Sequence, residues 1–256
     1  MMNSEQATFP QLSKNHLAEL KKLHQKKFRH LEGRTLAEGM NLIEQLHANG
    51  INPLQLITDQ PEMVQKLFRT YRCEVLLAKP HEIGQLAETE TPQPLIGVYF
   101  IPEHVIKQYD TALYLDGIRD PGNLGTVFRT ASAFGIDAIF LSADCCEVWS
   151  PKVIRASLGS VFWLPSITAD SAWLKEQKAE KAGLVMDGSI LLKDFVPDKT
   201  LPLILVIGSE GSGISTEIAE LLTVTLSIPI SDRMESLNAS VAAAIAMYET
   251  CVRKSG

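Results

Sequence analysis

The segment "DGIRDPGNLGTVFRTASAFG" (residues 116–135) combines the end of an apolar strand, a turn and the start of a helix. Gly122 and Asn123 suit a tight turn, and the helix is predicted to begin near Leu124. Unpaired backbone N–H groups at such a helix start can hold an anion. Arg129 lies six positions after Asn123, roughly 1.7 helical turns, which a turn alone does not require. If the helix borders a cleft, both side chains can face a ligand, Asn123 as a neutral hydrogen-bonding group and Arg129 as a fork for phosphate or carboxylate.

Strands and helices alternate on both sides of this segment, which predicts an α/β fold with a parallel sheet. The predicted strands of the second part of the chain are nearly continuous apolar runs, as expected when helices cover both faces of a sheet. They span residues 111–118, 137–143, 160–165, 183–188, 201–208 and 223–230. A shorter alternation precedes them, so the chain is predicted to form two domains, a small α/β domain over residues 1–106 and a larger one over residues 107–256.

A second loop, "VIGSEGSGIS" (residues 206–215), follows a predicted strand and carries three glycines. Glycine lets a backbone approach a ligand closely, although a glycine-rich turn without a ligand is an alternative. The order of these glycines differs from the G-x-G-x-x-G fingerprint of dinucleotide-binding proteins, which argues against a nicotinamide dehydrogenase. Glu210 would repel a phosphate, so the loop favours a neutral or cationic ligand.

A third loop opens the segment "IPISDRMESLNASVAAAIAMYE" (residues 228–249). Ser236 or Asn238 can serve as the N-cap of the alanine-rich helix that follows, but one helix end cannot use both. Ligands of parallel α/β sheets collect at the carboxyl ends of the strands. We therefore expect the loops around Asn123, Glu210 and Asn238 to meet at one pocket beside the Arg129 guanidinium.

The composition indicates a globular protein without export or membrane segments. The chain has 256 residues with 45% hydrophobic and 21% charged side chains, which is ordinary for a soluble fold. Its start lacks an apolar run of signal-peptide length, and no run approaches the roughly 20 residues that cross a bilayer. The cytoplasm is therefore the expected location. Four cysteines without a CxxC pair predict neither a disulfide framework nor a metal site.

Basic side chains concentrate in residues 14–34, although the chain carries a net charge of −6. Seven Lys and Arg residues stand there against two Glu residues. A solvated helix face and a surface for a polyanion both explain this pattern.

Taken together, the three loop segments resemble the motifs of the SpoU (TrmH-type) family of RNA ribose 2′-O-methyltransferases, within the SPOUT superfamily. The segment "SPKVIRASLGSVFWLP" (residues 150–165) is similar to the family's middle segment, so the resemblance covers residues 110–253 almost throughout. The fragment "KFRHLEGRTLAEGMNLI" (residues 27–43) resembles, less specifically, the ribosomal-protein-like substrate-binding domain that many members carry.

The resemblance implies a catalytic domain with a deep C-terminal trefoil knot that binds S-adenosylmethionine and forms a homodimer. The implied cofactor-binding residues are Gly208, Glu210, Gly211, Ile228, Ser236 and Leu237. The implied catalytic residues are Arg129, Asn123, Glu210, Ser236 and Asn238. Because a guanidinium stays protonated, Arg129 is expected to clamp the target phosphate and stabilise the developing alkoxide rather than act as a base.

The activity implied by the resemblance is methylation of a ribose 2′-hydroxyl in structured RNA, with ribosomal RNA favoured over transfer RNA and with no metal. A non-catalytic RNA-binding or ribosome-assembly factor on the same scaffold is the alternative, and the intact catalytic set argues against it. The residues expected to bind RNA are Lys21, Lys22, Lys26, Lys27, Arg29, Arg34 and Arg155.

Overall fold

The computed structural model describes residues 9–68 and 73–252, which divide into two compact units. The first unit contains the chain up to Pro102 together with Trp149–Phe162, and the second contains Glu103–Val148 and the chain from Trp163 onward. Within the described ranges, no helix is long and apolar enough to cross a membrane.

Ten α-helices and eleven strands are assigned in these ranges. The helices are α1 (Lys14–Lys22), α2 (Lys26–Glu32), α3 (Met40–Ala48), α4 (Pro61–Phe68), α5 (Pro80–Leu86), α6 (Pro121–Ala133), α7 (Pro151–Ala156), α8 (Ser171–Glu176), α9 (Thr216–Ala219) and α10 (Ala239–Met247). The strands are β1 (Arg34–Glu38), β2 (Gln55–Thr58), β3 (Glu74–Leu77), β4 (Leu95–Phe100), β5 (Thr111–Asp116), β6 (Ala138–Leu141), β7 (Ser166–Thr168), β8 (Glu180–Leu184), β9 (Ile190–Leu191), β10 (Leu203–Gly208) and β11 (Val224–Ser227).

The first unit is built on a four-stranded mixed sheet in the order β1-β4-β2-β3. Strand β4 pairs antiparallel with β1 and β2, and β2 pairs parallel with β3. Helix α1 begins where Ser13 Oγ accepts a hydrogen bond from His16 N at 3.2 Å, an N-cap that satisfies one unpaired donor. Leu17 and Leu20 of this helix pack into the core of the unit.

The segment 149–162 packs in the first unit, although the predicted domain limit at residue 106 assigned it to the second domain. Thr35 Oγ1 on β1 donates to the carbonyl of Trp149 at 3.0 Å. The rings of Trp149 and Phe162 meet edge to face with centroids 5.4 Å apart. These contacts join residues far apart in the sequence, so local patterns give no sign of them.

A partly exposed ion pair joins α1 to the end of α5 in the first unit. His24 Nδ1 lies 3.3 Å from Glu88 Oε1. The hydrogen bond to Glu88 is the main cause that raises the pKa of His24 above its ordinary 6.5, and the same bond lowers the pKa of Glu88 below 4.5. The stabilisation from His24 is complete below pH 6.5 and disappears as the pH rises through its folded pKa. That from Glu88 is complete above pH 4.5 and disappears as the pH falls through its folded pKa.

Replacing His24 with glutamine is therefore expected to destabilise the protein between about pH 4.5 and 6.5 and to have less effect at pH 8. Because both side chains are partly exposed, the loss should be about 1 kcal/mol or less. Urea unfolding of the wild type and of His24→Gln at pH 5.5 and pH 8 measures this difference. A loss of the same size at both pH values would contradict the assignment.

The second unit contains a seven-stranded sheet in the order β7-β6-β5-β10-β8-β11-β9, and all its pairings are parallel. Strand β10 lies at the centre between β5 and β8, and helix α10 packs on both β10 and α6. Tyr114, Phe140, Ile204 and Val206 are almost fully buried in its core. The predicted α/β fold with a parallel sheet is confirmed.

The strand predicted over residues 160–165 is wrong. Ser160–Phe162 forms a buried 3₁₀-helix, and strand β7 begins only at Ser166. A short apolar run has no periodicity that distinguishes a buried strand from a buried helix. Leu158 and Gly159, directly before this run, have φ values of 49° and 81°, so a left-handed turn leads into the 3₁₀-helix.

Candidate functional site

Helix α6 begins earlier than the sequence predicted. Asp120 is its N-cap, with Oδ1 accepting from Asn123 N at 2.8 Å, and Pro121 fills the first helical position, where a missing N–H costs nothing. Asn123 therefore belongs to the first helical turn rather than to a preceding loop. The Asp120 carboxylate accepts the N–H of Asn123 and adds a negative charge, which disfavours the anion that the sequence predicted at this helix start.

The glycine-rich loop after β10 folds back on itself. Ser209 and Gly213 exchange two backbone hydrogen bonds of 3.0 and 2.9 Å, and Gly213 has a φ of +66°. A Cβ on Gly208 would lie 2.1 Å from the carbonyl carbon of Gly213, so this fold requires glycine. Asp116 Oδ2, at the end of β5, accepts from Ser215 N at 2.7 Å and anchors the end of the loop.

Asn238, and not Ser236, is the N-cap of α10. Its Oδ1 accepts from Ser240 N at 3.0 Å, Ser240 Oγ at 2.6 Å and Val241 N at 3.3 Å. Backbone N–H groups can only donate, so these contacts fix which end of the amide is oxygen. The amide nitrogen of Asn238 is therefore directed away from the helix.

That amide nitrogen completes a cluster in which the three loops meet, as the sequence predicted. Oε1 of Glu210 accepts from Asn123 Nδ2 at 2.8 Å, from Asn238 Nδ2 and from Ala239 N at 3.2 Å. Asn238 Nδ2 also donates to Asn123 Oδ1, at 3.0 Å. One carboxylate oxygen thus receives donors from two loops, and the second oxygen of Glu210 has no hydrogen bond among the described residues.

A cavity of about 510 Å³ opens beside this cluster at the carboxyl ends of β8 and β10. All six residues predicted to bind the cofactor line it, namely Gly208, Glu210, Gly211, Ile228, Ser236 and Leu237. Val185 and Met186 also line the cavity, but the sequence analysis did not predict them. It extended the strand to residue 188, whereas β8 ends at Leu184 and these two residues lie beyond its carboxyl end.

A second cavity, of about 520 Å³, lies along the other side of the glycine-rich loop. Asp116, Arg119, Asn123 and Asp144 contribute to its lining. Glu210 lines both cavities. Glu210 therefore stands at the wall that the two cavities share, and it holds Asn123 of the second cavity by a hydrogen bond.

Arg129 does not join this cluster within one chain, so the expectation that the pocket lies beside its guanidinium is wrong for a single chain. Its side chain is exposed on α6, lines neither cavity, and makes no hydrogen bond or ion pair with other described residues. Helix α10, packed on α6, exposes a stripe of apolar side chains, with Val241 47%, Ile245 36% and Tyr248 48% accessible. The ring of Phe134 lies 6.0 Å from that of Tyr248. This spacing places an apolar stripe on the outer face of α10.

Two arginines predicted to bind RNA are engaged within the first unit. Arg29 is 4% exposed and donates to the carbonyl of Leu23 at 2.6 Å, where a cation offsets the negative end of the α1 dipole. Arg155 NH1 is buried and lies 4.0 Å from Glu38 Oε2. Burial removes Arg29 from any RNA-facing surface. The Arg155 side chain is 38% exposed, so its RNA-binding role stays a prediction.

The remaining basic residues that were predicted to bind RNA differ in whether their charged groups already have a partner in the protein. Arg34 pairs with Glu32, and Lys21 Nζ donates to Gln85 Oε1 at 2.9 Å. The side chains of Lys22, Lys26 and Lys27 are exposed.

Among the described residues, no group of three or more His, Cys, Asp or Glu side chains is placed to hold a metal ion.

Comparison with known proteins matches both parts of the chain to families. Residues 110–248 match the SpoU rRNA Methylase family, and residues 14–97 match the MRM3-like substrate binding domain. The chain is similar to the 23S rRNA (guanosine(2553)-2′-O)-methyltransferase RlmP of Bacillus subtilis, with 34% identity over 234 residues that cover 89% of this chain and 92% of the relative.

Solved structures show the same similarity. The SpoU methyltransferase AviRb from Streptomyces viridochromogenes, in complex with AdoMet, has a TM-score of 0.83 at 26% identity and covers 95% of this chain and 98% of its own. The AdoMet-bound rRNA methyltransferase from Sinorhizobium meliloti has a TM-score of 0.80 at 27% identity, with 94% and 95% covered. The family match extends over more than half of the sequence and includes all three loops of the cluster, and the chain therefore belongs to the SpoU rRNA methylase family.

Proposed function

We propose that this protein is an S-adenosylmethionine-dependent enzyme that methylates a ribose 2′-hydroxyl in ribosomal RNA. The observation that carries the proposal is the Asn123–Glu210–Asn238 cluster, whose Glu210 lines both cavities. Relatives named as 23S rRNA 2′-O-methyltransferases support the substrate class, and neighbours solved with AdoMet support the cofactor.

The first cavity has the chemistry that S-adenosylmethionine requires. Leu184, Ile207 and Ile228 give it apolar walls for a purine ring, and Glu210 and Glu235 supply carboxylates for a positive charge and for ribose hydroxyls. Its volume, about 510 Å³, lies within the usual range of small-molecule sites. Glu210, whose charge argued against a phosphate ligand in this loop, suits the positively charged sulfur of S-adenosylmethionine.

S-adenosylmethionine supplies a methyl group on a positively charged sulfur, and the protein has to align an RNA oxygen with it. We place the acceptor ribose in the second cavity, next to Asn123 and Glu210. Holding two reactants in line can contribute about 7–11 kcal/mol to lowering a barrier. Ser236 lines the cofactor cavity, and we assign it, with Asn123, Glu210 and Asn238, to positioning the reactants. Arg129 is assigned to the target phosphate and the developing alkoxide.

We assign Arg129 to the active site of a second copy of the chain. The apolar stripe of Val241, Ile245 and Tyr248 supports a homodimer formed through the C-terminal unit, because such a stripe loses its contact with water when a partner covers it. Arg129 is exposed on the helix that packs beside this stripe. A partner seated on this face would therefore place Arg129 at the dimer interface, where it can serve the partner's site.

Three further features belong to the same proposal. The first unit binds the RNA substrate, and the second unit forms the methyltransferase domain with a C-terminal trefoil knot, so the division at residues 106 and 107 is kept except for the segment 149–162. The strand order, in which β10 separates β5 from β8, is compatible with a chain that threads between its own earlier strands. The cytoplasm is the proposed location, since the proposed substrate is ribosomal RNA.

The direct test incubates the purified protein with S-adenosylmethionine and unmodified ribosomal RNA and then maps 2′-O-methyl groups by mass spectrometry of nuclease fragments. We expect a new 2′-O-methyl group at one position of the RNA. Ribosomal RNA from cells that lack the gene should lack the 2′-O-methyl group at this position. RNA binding without methylation would support the alternative of an assembly factor, and calorimetry with S-adenosylmethionine would then show no cofactor binding.

Replacing Gly208 with alanine is expected to weaken S-adenosylmethionine binding at least about tenfold, because the added Cβ forces the Gly213 backbone and the loop out of position. Isothermal calorimetry measures the change. The matched control is Gly84→Ala in α5, where a Cβ meets only Pro92 at 3.9 Å. Unchanged affinity in Gly208→Ala would show that the loop does not form the cofactor site.

A further inference from the structure

An exposed surface on the first unit combines cations with apolar side chains. The α2 surface, as we name it, consists of Lys22, Lys26, Lys27, Phe28 and Leu31. The ammonium groups of Lys22 and Lys27 lie 5.8 and 5.9 Å from the centroid of the Phe28 ring. Leu31 is 73% exposed. A surface that only neutralised phosphates would have no use for a partly exposed ring and an exposed leucine.

The charge of this surface is not cancelled by its neighbours. Glu32 pairs with Arg34, and Glu88 pairs with His24. Arg29 is directed inward to a backbone carbonyl. The lysines of the α2 surface have no ion pair among the described residues, so their positive charge is available to a polyanion although the whole chain is acidic.

We propose that the α2 surface holds an unpaired nucleotide of the substrate RNA, with its base against Phe28 and Leu31 and the adjoining phosphates against the lysines. This inference depends on the proposed function and specifies which part of the RNA the first unit recognises. In a duplex the bases are stacked inside, and only phosphates and grooves are presented. A ring flanked by cations therefore selects loops, bulges or ends, whose bases are free to stack.

Binding of two labelled RNAs to the full-length protein tests the inference by fluorescence anisotropy. One probe is a hairpin with an unpaired loop, and the other is a blunt duplex of the same length. Phe28→Ala is expected to weaken hairpin binding about 5- to 100-fold, as alanine does at a stacking position, and to change duplex binding less than about twofold. Phe28→Tyr should restore hairpin binding, because it keeps the ring. The control Phe100→Ala removes another exposed aromatic side chain of the unit and should leave both affinities unchanged.

The double variant Lys26→Ala, Lys27→Ala provides a second measurement with a different expectation. It should weaken binding of both probes and reduce the slope of log K against log salt by about 1–2, as expected when two phosphate contacts are lost. If Phe28→Ala unfolds the unit, Phe28→Leu replaces it as the test, because it keeps an apolar side chain but removes the ring. Phe28→Leu should still weaken hairpin binding. Equal losses for hairpin and duplex in the Phe28 variants, or no loss, would overturn the inference.

The outcome is separable from that of the proposed function. If the wild-type protein methylates ribosomal RNA but its Phe28 variants bind the hairpin normally, the inference fails and the enzymatic assignment stands. If the protein methylates no RNA, the proposed function fails even where hairpin binding depends on Phe28.

Discussion

Arg129→Ala is expected to bind S-adenosylmethionine with unchanged affinity and to transfer the methyl group about 10²–10³-fold more slowly, the loss seen when one preorganised donor to a developing oxyanion is removed. Arg129 lines neither cavity, so cofactor affinity should not depend on it. Its guanidinium is instead assigned to charge that develops on the RNA oxygen and on the adjoining phosphate. Calorimetry gives the cofactor affinity, and single-turnover methylation of ribosomal RNA gives the rate.

Arg129→Lys is the matched variant, because it keeps the positive charge and loses the planar fork. A clamp that uses two parallel hydrogen bonds predicts a rate between those of Arg129→Ala and the wild type. If Arg129→Ala reduced cofactor affinity and transfer rate to the same extent, the residue would be part of cofactor binding, and its assignment to the RNA would be lost.

The features that sequence predicted correctly are those with a local or periodic signature. The nearly continuous apolar runs of β5, β6 and β10 indicated a parallel sheet, and the polar loops at the carboxyl ends of strands indicated a common pocket. Hydrogen bonds from Asn123 and Asn238 to Glu210 then place these loops together. Asn123 and Glu210 follow the adjacent parallel strands β5 and β10 and therefore have to lie close together. Asn238 joins them because it begins α10, which packs on both β10 and α6.

The errors arose where long-range contacts or exact element ends decide the structure. Helix α6 begins earlier than predicted because the Asp120 carboxylate accepts the N–H of Asn123 and caps the helix there. The residues Asp-Pro-Gly-Asn are equally typical of a turn, so the sequence did not indicate this cap. The segment 149–162 packs with the first unit through contacts to β1. These contacts join residues far apart in the sequence, so no local sequence pattern predicts them. Arg29 was assigned to a surface by charge alone, whereas its guanidinium is buried against the end of α1.

The exposed position of Arg129, which lines neither cavity of its own chain, leads to the second prediction. A symmetric dimer contains two equivalent sites, and each site can take Arg129 either from its own chain or from its partner. The α6 and α10 helices that carry Arg129 and the apolar stripe pack against each other, so covering the stripe brings a partner close to this side chain. The proposal that the partner uses it makes a prediction that a single-chain site cannot reproduce.

A heterodimer of one Arg129→Ala chain and one Gly208→Ala chain is expected to recover about half of the wild-type rate per dimer, since one of two equivalent sites is restored. The Arg129→Ala chain keeps an intact cofactor loop, and its partner supplies the arginine. The other site lacks both the cofactor loop and the arginine. The rates are compared at an S-adenosylmethionine concentration near the wild-type Kd and well below that of Gly208→Ala. Under these conditions each variant homodimer should be much slower than the wild type, whereas a wild-type chain paired with a Gly208→Ala chain should match the heterodimer. Two different affinity tags isolate the mixed species. A heterodimer as slow as the Arg129→Ala homodimer would mean that the arginine serves its own chain.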